Sequence, residues 1–283
     1  MGSYIIGGAG TPGNFNNPGE EYIGFSSTGT TLVNLAAAGS TNTKGSWTNV
    51  GTASGALFHG VIVLIANAST AGAGFAIDIS FDNDVTTHIP NLYAEGATGS
   101  IQYVYLPLNV QTVATANYVR ARVQSSTASA TINIGIIGLL NNDNQARTLW
   151  NTMVAETATV SGATQPGTAD IAVGSPGSYA DVDASASQSF GCVLPCVTNG
   201  ATGGEPAAVQ PQLVTYATGN SGAEVAIATR PFSRSTASPR LSGNYGNVIY
   251  VPIASGTKVR AKASSASPGA GPSTLRIGFY GFY

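Results

Sequence analysis

Short runs of β-branched and aromatic residues recur along the chain, some alternating apolar with polar and some wholly apolar. Clusters of Gly, Asn, Ser and Thr separate them. Period-two alternation fits a half-buried strand, and small polar residues supply the turns between strands. In the first half, strands are expected near Thr31–Leu35, Trp47–Val50, Leu57–Ile65, Phe75–Phe81, His88–Leu92, Ile101–Leu108, Tyr118–Gln124 and Thr131–Leu139. Helical periodicity is scarce, and the best stretch, Asn144 to Val154, amounts to a turn or two. Evenly spaced short strands of this kind mark a β-sandwich or jelly roll.

The second half repeats the first. Val104-Tyr105-Leu106-Pro107-Leu108, Val119-Arg120-Ala121-Arg122-Val123 with Ser125-Ser126, and Ile132-Asn133-Ile134-Gly135-Ile136-Ile137-Gly138 follow one another. Later come Ile249-Tyr250-Val251-Pro252-Ile253, Val259-Arg260-Ala261-Lys262-Ala263 with Ser264-Ser265, and Leu275-Arg276-Ile277-Gly278-Phe279-Tyr280-Gly281. Three blocks in one order, with connectors of changing length, indicate a duplicated domain. Gly45-Ser46-Trp47-Thr48-Asn49-Val50 likewise matches Gly177-Ser178-Tyr179-Ala180-Asp181-Val182. Gly60-Val61-Ile62-Val63 matches Gly191-Cys192-Val193-Leu194, and Phe75 to Ile79 falls opposite Gln212 to Tyr216. About eight strands per copy suit an eight-stranded sandwich.

The expected fold is therefore all-β: two tandem jelly-roll or Ig-like β-sandwich domains related by internal duplication, with an extended N-terminal arm. The arm covers residues 1–27, where Gly, Asn and Pro leave little for regular structure. Module 1 spans 28–140, a linker 141–153 and module 2 154–283.

Charge modifies this picture. Only 8% of residues are charged, the formal net charge is −2, and 43% are hydrophobic. A chain this apolar folds, and a nearly neutral one has no electrostatic drive toward nucleic acid or anionic membrane. So few charges also protect a lone monomer poorly against self-association, which favours life inside an assembly. Met1 to Ile6 lacks the basic and apolar regions of an export leader, and the longest apolar run, Val61 to Ala66, is far short of a membrane span. Synthesis in a cytoplasm and no membrane insertion are expected.

Candidate chemistry is thin. No nucleophile elbow, phosphate loop or paired CxxC occurs, so neither catalysis nor a cofactor is expected. Asp82 and Asp84, with Asp78 and His88 nearby, form the densest polar cluster. Asp82-Asn83-Asp84 reads foremost as a turn and only weakly as a metal site. Cys192 and Cys196 read as buried free thiols, being about 13 Å apart in an extended strand. Alternation places Val119, Ala121 and Val123 inward and the basic pair Arg120 and Arg122 outward, echoed by Arg260 and Lys262. These four, with the aromatic terminus Phe282 and Tyr283, are the candidate interface residues. Arg230, Arg234 and Arg240 lie in a Pro- and Ser-rich loop suited to reaching a neighbour. Pro107 and Pro252 imply an edge strand or a bulge, because proline removes a ladder donor.

Tyr-x-Pro-hydrophobic, a variable turn, Val-Arg-Ala-Arg-Val-Gln-Ser-Ser and alternating apolar residues closing on Gly resemble a module of tailed-bacteriophage virion structural proteins. Ile253 to Lys262, with its Gly256-Thr257 turn, fits that pattern; Gln111 to Asn117 replaces the turn in the first copy. The resemblance implies a non-enzymatic sandwich protein located in the virion, in the head exterior or the tail. Its partners would be itself and other virion proteins such as major capsid or tail proteins. The alternative is a carbohydrate-binding module pair recognising a host-surface glycan, for which Trp47 and Tyr179 recur at matching positions, although duplicated aromatics are more often core.

Overall fold

A computed structural model describes residues 19–25, 31–66, 68–70, 73–95, 101–112, 118–140, 150–156, 169–174, 177–198, 210–234, 245–265 and 274–283. The arm as far as residue 18, residues 141–149 of the linker and the segment holding Arg240 lie outside the described residues.

In the first half the strands are β1 (Glu20–Ile23), β2 (Val33–Ala36), β3 (Thr48–Thr52), β4 (Leu57–Ala66), β5 (Gly74–Ser80), β6 (Ile89–Glu95), β7 (Ile101–Gln111), β8 (Tyr118–Ser125) and β9 (Thr131–Leu139). Each strand expected from the pattern is present. They form two sheets, β1-β9-β4-β7 with β2 also on β9, and β3-β8-β5-β6. The second half supplies β10 (Met153–Glu156), β11 (Ala169–Gly174), β12 (Ala180–Asp183), β13 (Cys192–Thr198), β14 (Gln210–Thr218), β15 (Val225–Arg234), β16 (Val259–Ser265) and β17 (Thr274–Phe282).

Pairing repeats strand for strand. β17, like β9, takes three neighbours, β10, β11 and β13, as β9 takes β1, β2 and β4. The other sheet runs β12-β16-β14-β15, as β3-β8-β5-β6 does. Bridges from Tyr245 and Ile249 to β13, and from Ile253 to Phe190 just before it, stand where β7 pairs β4. One difference is that β11 also pairs in parallel with β16 at Val173 and Gly174, joining the second module's two sheets at one side. The chain is thus two tandem β-sandwiches of one topology.

Alternation explains the cores. Val119, Ala121 and Val123 are fully buried, as are their counterparts Val259, Ala261 and Ala263. Glycines fix the register: a Cβ on Gly138 would lie 2.5 Å from the Phe58 ring, and one on Gly281 2.4 Å from Phe190. Each aromatic therefore needs a bare glycine opposite, which makes Phe58 and Phe190 equivalent. Val61 then corresponds to Val193, each facing its glycine, so the Gly60/Gly191 match is one residue out.

The first repeated block shifts as well. Val110 faces Phe58 while Ile253 faces Phe190, so Leu106 corresponds to Ile249 and the two prolines are not equivalent. The shift is two residues, which keeps the same face inward. Pro107 does sit on edge strand β7, within the bulge opposite His59 and Val61, where its carbonyl accepts a bond from the Trp150 N–H at 3.2 Å. The Phe75/Gln212 match holds in register, since these face Ser125 and Ser265.

Two boundaries change. Residues 20–23, assigned to the arm, are β1, paired with β9 from Leu139 to Ile136; Ile23 fills the core, which the flanking glycines conceal in sequence. Met153 and Val154, assigned to the end of a helical turn, begin β10 instead. Pairing with Phe282 and Gly281, plus burial of Met153, outweighs a local pattern this short.

The sandwiches share a seam. Met153, Cys192, Leu194, Cys196, Tyr280 and Phe282 lie on the outer face of module 2's β10-β17-β13 sheet yet belong to the buried cluster of module 1. The edge strand β6 of module 1 lies against that face. An unpaired strand edge is a liability, and here tyrosine hydroxyls close it. Tyr280 Oη accepts from the Tyr93 N–H at 2.9 Å and donates to the Asn91 carbonyl at 2.9 Å, while Tyr245 donates to the Tyr93 carbonyl at 2.6 Å.

Candidate functional site

The basic pairs sit on the outer face of β8 and β16, as the alternation requires, but their charges are turned onto their own modules. Arg120 Nε donates to Asn49 on β3 at 2.8 Å, and its Nη1 pairs with Asp84 in the β5–β6 turn. Arg260 repeats this: Nε donates to Asp181 on β12 at 2.7 Å, and Nη1 pairs with Glu224 in the β14–β15 turn. In both modules 36 residues separate the arginine from its turn acid. Each arginine is therefore a clamp holding a hairpin turn to an outer strand. Arg260 is 8% exposed and also donates to the Tyr179 carbonyl at 3.0 Å. Lys258 and then Arg260 bond to Asp181 and hold its carboxyl below the usual range.

The second basic position carries a different device. Arg122 lies over the Trp47 ring, 4.6 Å from its centroid, and Lys262 over Tyr179 at 4.7 Å. Trp47 and Tyr179 are half-buried on the sheet face, not core residues as their recurrence suggested. Arg122 also pairs with the buried Asp78 at 2.9 Å, which further accepts from Lys44 at 2.8 Å and the Asn91 N–H at 2.9 Å. Burial pushes the Lys44 ammonium down, against the pull of Asp78. As interface candidates, Arg120, Arg122 and Arg260 are thus corrected to intramolecular partners. Phe282 is corrected too: it is fully buried in the seam, whereas Tyr283 remains 41% exposed.

Asp82 and Asp84 do not converge. Asp82 accepts from the Ser80 hydroxyl at 2.7 Å and the Thr86 N–H at 2.8 Å, which is turn chemistry, while Asp84 is held by Arg120. No group of three or more His, Cys, Asp or Glu that could hold a metal occurs among the described residues. The groove of about 440 Å³ between β1, β2 and β3, lined by Tyr22, Phe25, Leu32, Val33 and Val50 among others, contains no carboxylate, imidazole or thiol in its lining.

His88 is instead a packed residue. Its Nδ1 accepts from the Phe81 N–H at 3.2 Å, and its ring meets Phe81 edge-on at 5.6 Å. Burial lowers its pKa below the ordinary 6.5, against the pull of Asp82. As pH falls through about 6.5 the unfolded chain takes up this proton first. His88 therefore contributes stability that is present above that pH and lost progressively below it, down to the lower folded pKa. Denaturation midpoints between pH 7.5 and 5 are expected to fall, and His88→Gln to flatten that dependence.

Cys192 and Cys196 are free and buried at the seam; burial pushes the Cys192 thiol up to about 12.

No protein-family model matches this chain, and no curated protein matches it. Among solved structures it is similar to the tandem CBM22-1–CBM22-2 domains of Paenibacillus barcinonensis Xyn10C, at 10% identity and a TM-score of 0.24, covering 82% of this chain and 80% of that one. It is also similar to the VP2 subviral particle of infectious bursal disease virus, at 11% identity and a TM-score of 0.24, covering 93% of this chain and 66% of that one.

Sequence reasoning found the arginines but not their partners. The turn from Thr218 to Glu224 matches the Asp82-Asn83-Asp84 turn in sequence, with Glu224 its one acid, but the pattern does not show that either turn's acid meets the arginine. The aromatic terminus that includes Tyr280 is legible as a docking element, but Tyr245, set between Gly-Asn pairs, carries no signal, and nothing in the pattern names the strand edge the two hydroxyls cap.

Proposed function

We propose that this chain is a non-enzymatic structural subunit of a bacteriophage virion, built into the head exterior or the tail. It assembles through contacts with its own copies and with neighbouring virion proteins. One observation carries the reading: the outer sheet face that module 1 seals on module 2 has an equivalent on module 1 where Ile101 is 50% and Tyr103 46% exposed. Apolar strand surface of that kind suits burial between subunits. The ion-paired sheet faces support the same reading, since the few charges stiffen the modules and leave small and apolar residues outside. The residue pattern from Ile253 to Lys262 points to the tailed-phage class.

The test is to purify particles from an infected culture and measure this chain by quantitative mass spectrometry and antibody-labelled electron microscopy. A fixed copy number per particle is expected. Absence from purified particles would overturn the proposal. The outward position of Trp47 and Tyr179 favours a second reading, glycan binding, although a cation already occupies one face of each ring. Glycan-array binding lost in Trp47→Ala, with the fold retained, would replace the structural reading.

A further inference from the structure

The two modules present unequal surfaces at equivalent positions. On β5 and β6 of module 1, Ala76 and Tyr93 pair with each other and are 1% and 0% exposed, Tyr93 being covered by Tyr280 and Tyr245 of module 2. Strand register makes Leu213 and Pro231 their equivalents on β14 and β15; these also pair with each other, yet Leu213 is 47% exposed and Pro231 is exposed. Nothing in the described chain covers them as module 2 covers module 1.

The receiving face has an open twin as well. Tyr280 pairs with Leu194 and Tyr245 with Cys196, while their equivalents Ile137 and Tyr103 pair with Ile62 and Leu64 on module 1. Leu64 and Ile137 form a shielded apolar floor, with Ile101 and Tyr103 as its exposed rim.

We infer that the chain associates head-to-tail with a second copy of itself, through a contact that repeats its own internal seam. The β14–β15 edge of one copy, with Leu213 and Pro231, docks on the β9-β4-β7 face of the next, with Ile101 and Tyr103. Two substitutions across the duplication are complementary. In the seam the Tyr93 N–H donates to Tyr280; in the repeated contact proline has no N–H and isoleucine no hydroxyl, so donor and acceptor are lost together. Of the other two seam bonds, the one from Tyr280 to the Asn91 carbonyl has no counterpart, while that from Tyr245 is retained in kind, because Tyr103 stands where Tyr245 does and the Pro231 carbonyl where that of Tyr93 does. Because the two surfaces differ, the contact is heterologous and propagates into a ring or filament instead of stopping at a dimer.

The inference deepens the reading of the chain as an assembling virion subunit and rests on it, but fails separately. A protein found in particles yet monomeric when purified would sink the inference alone. One that polymerises but is absent from particles would sink only the virion assignment.

Sedimentation velocity and light scattering on the full chain across a concentration series provide the test. Wild type is expected to form species larger than dimers. Leu213→Glu and Tyr103→Glu, both at exposed positions, are each expected to weaken association about 30-fold or more. Mixed together they should form a heterodimer and nothing larger, because one good edge meets one good face while the other pairing sets Glu against Glu. A wild type that stays monomeric, variants that assemble normally, or a mixture that gives no heterodimer would each overturn the inference. Unchanged circular dichroism and melting of both variants separate lost docking from lost folding, and Ile101→Glu in place of Tyr103→Glu must obey the same mixing rule.

Discussion

Replacing Arg260 by methionine is expected to cost about 3 kcal/mol of unfolding free energy, because it breaks an ion pair enclosed by protein. The equivalent change at Arg120 is expected to cost only about 1 kcal/mol. The chemistry is the same at both sites and the burial is not. The Arg260 side chain is 10% exposed and that of Glu224 13%, against 27% and 33% for Arg120 and Asp84. Arg260→Met leaves Glu224 with little water to replace the guanidinium, and removes the donor to the Tyr179 carbonyl. Arg120→Met leaves Asp84 close to solvent, where hydration repays most of the loss. Chemical denaturation of the two variants in parallel measures the difference. Equal costs would show that the two clamps are equally hydrated and that enclosure of the second is not what holds its turn.

These clamps illustrate what the sequence discloses. Alternation along Val119 to Val123 determines that the arginines face outward, since period two leaves no other option beside a buried valine. It carries no information about what stands on neighbouring strands. Asn49 and Asp181 reach the arginines through register and a bulge that recurs one residue later in both modules, and turn acids reach them through hairpin geometry. An outward charge therefore looks like free interface until the partners across the sheet are known.

The block match at Pro107 and Pro252 failed for a related reason. Proline is conspicuous in a strand-like run, but register is governed by which glycine admits Phe58 or Phe190. Strand β1 stayed hidden because Glu-Glu-Tyr-Ile is four residues between glycines, too short to show a period. The seam was invisible from the pattern for a third reason: Cys192, Leu194 and Cys196 alternate with the equally buried Val193, Pro195 and Val197. A run apolar on both faces announces burial on both sides without naming the element that covers it.

Tyr280→Phe is expected to cost about 2–3 kcal/mol, concentrated at the seam, although it removes a single oxygen. That hydroxyl accepts from the Tyr93 N–H and donates to the Asn91 carbonyl, in a place where Tyr280 and Tyr93 are both fully buried. Removing it strips two backbone groups of the partners that closed the β6 edge, and the packed ring leaves no room for water to substitute. Burial, reinforced by the neighbouring Cys196 and opposed by the hydrogen bond with Tyr245, also pushes the Tyr280 phenol well above its ordinary pKa, so it remains a donor throughout the neutral range. Tyr245→Phe removes the bond to the Tyr93 carbonyl and the one shared with the Tyr280 hydroxyl, and leaves the Tyr93 N–H its acceptor, so it should cost about 1–2 kcal/mol. Amide hydrogen exchange localises the effect: protection of Tyr93 should fall in Tyr280→Phe while protection of the distant β14–β16 ladder is retained. If Tyr280→Phe unfolds like the wild type and the Tyr93 amide exchanges no faster, the β6 edge is closed by packing alone. The hydroxyls would then have no part in joining the modules.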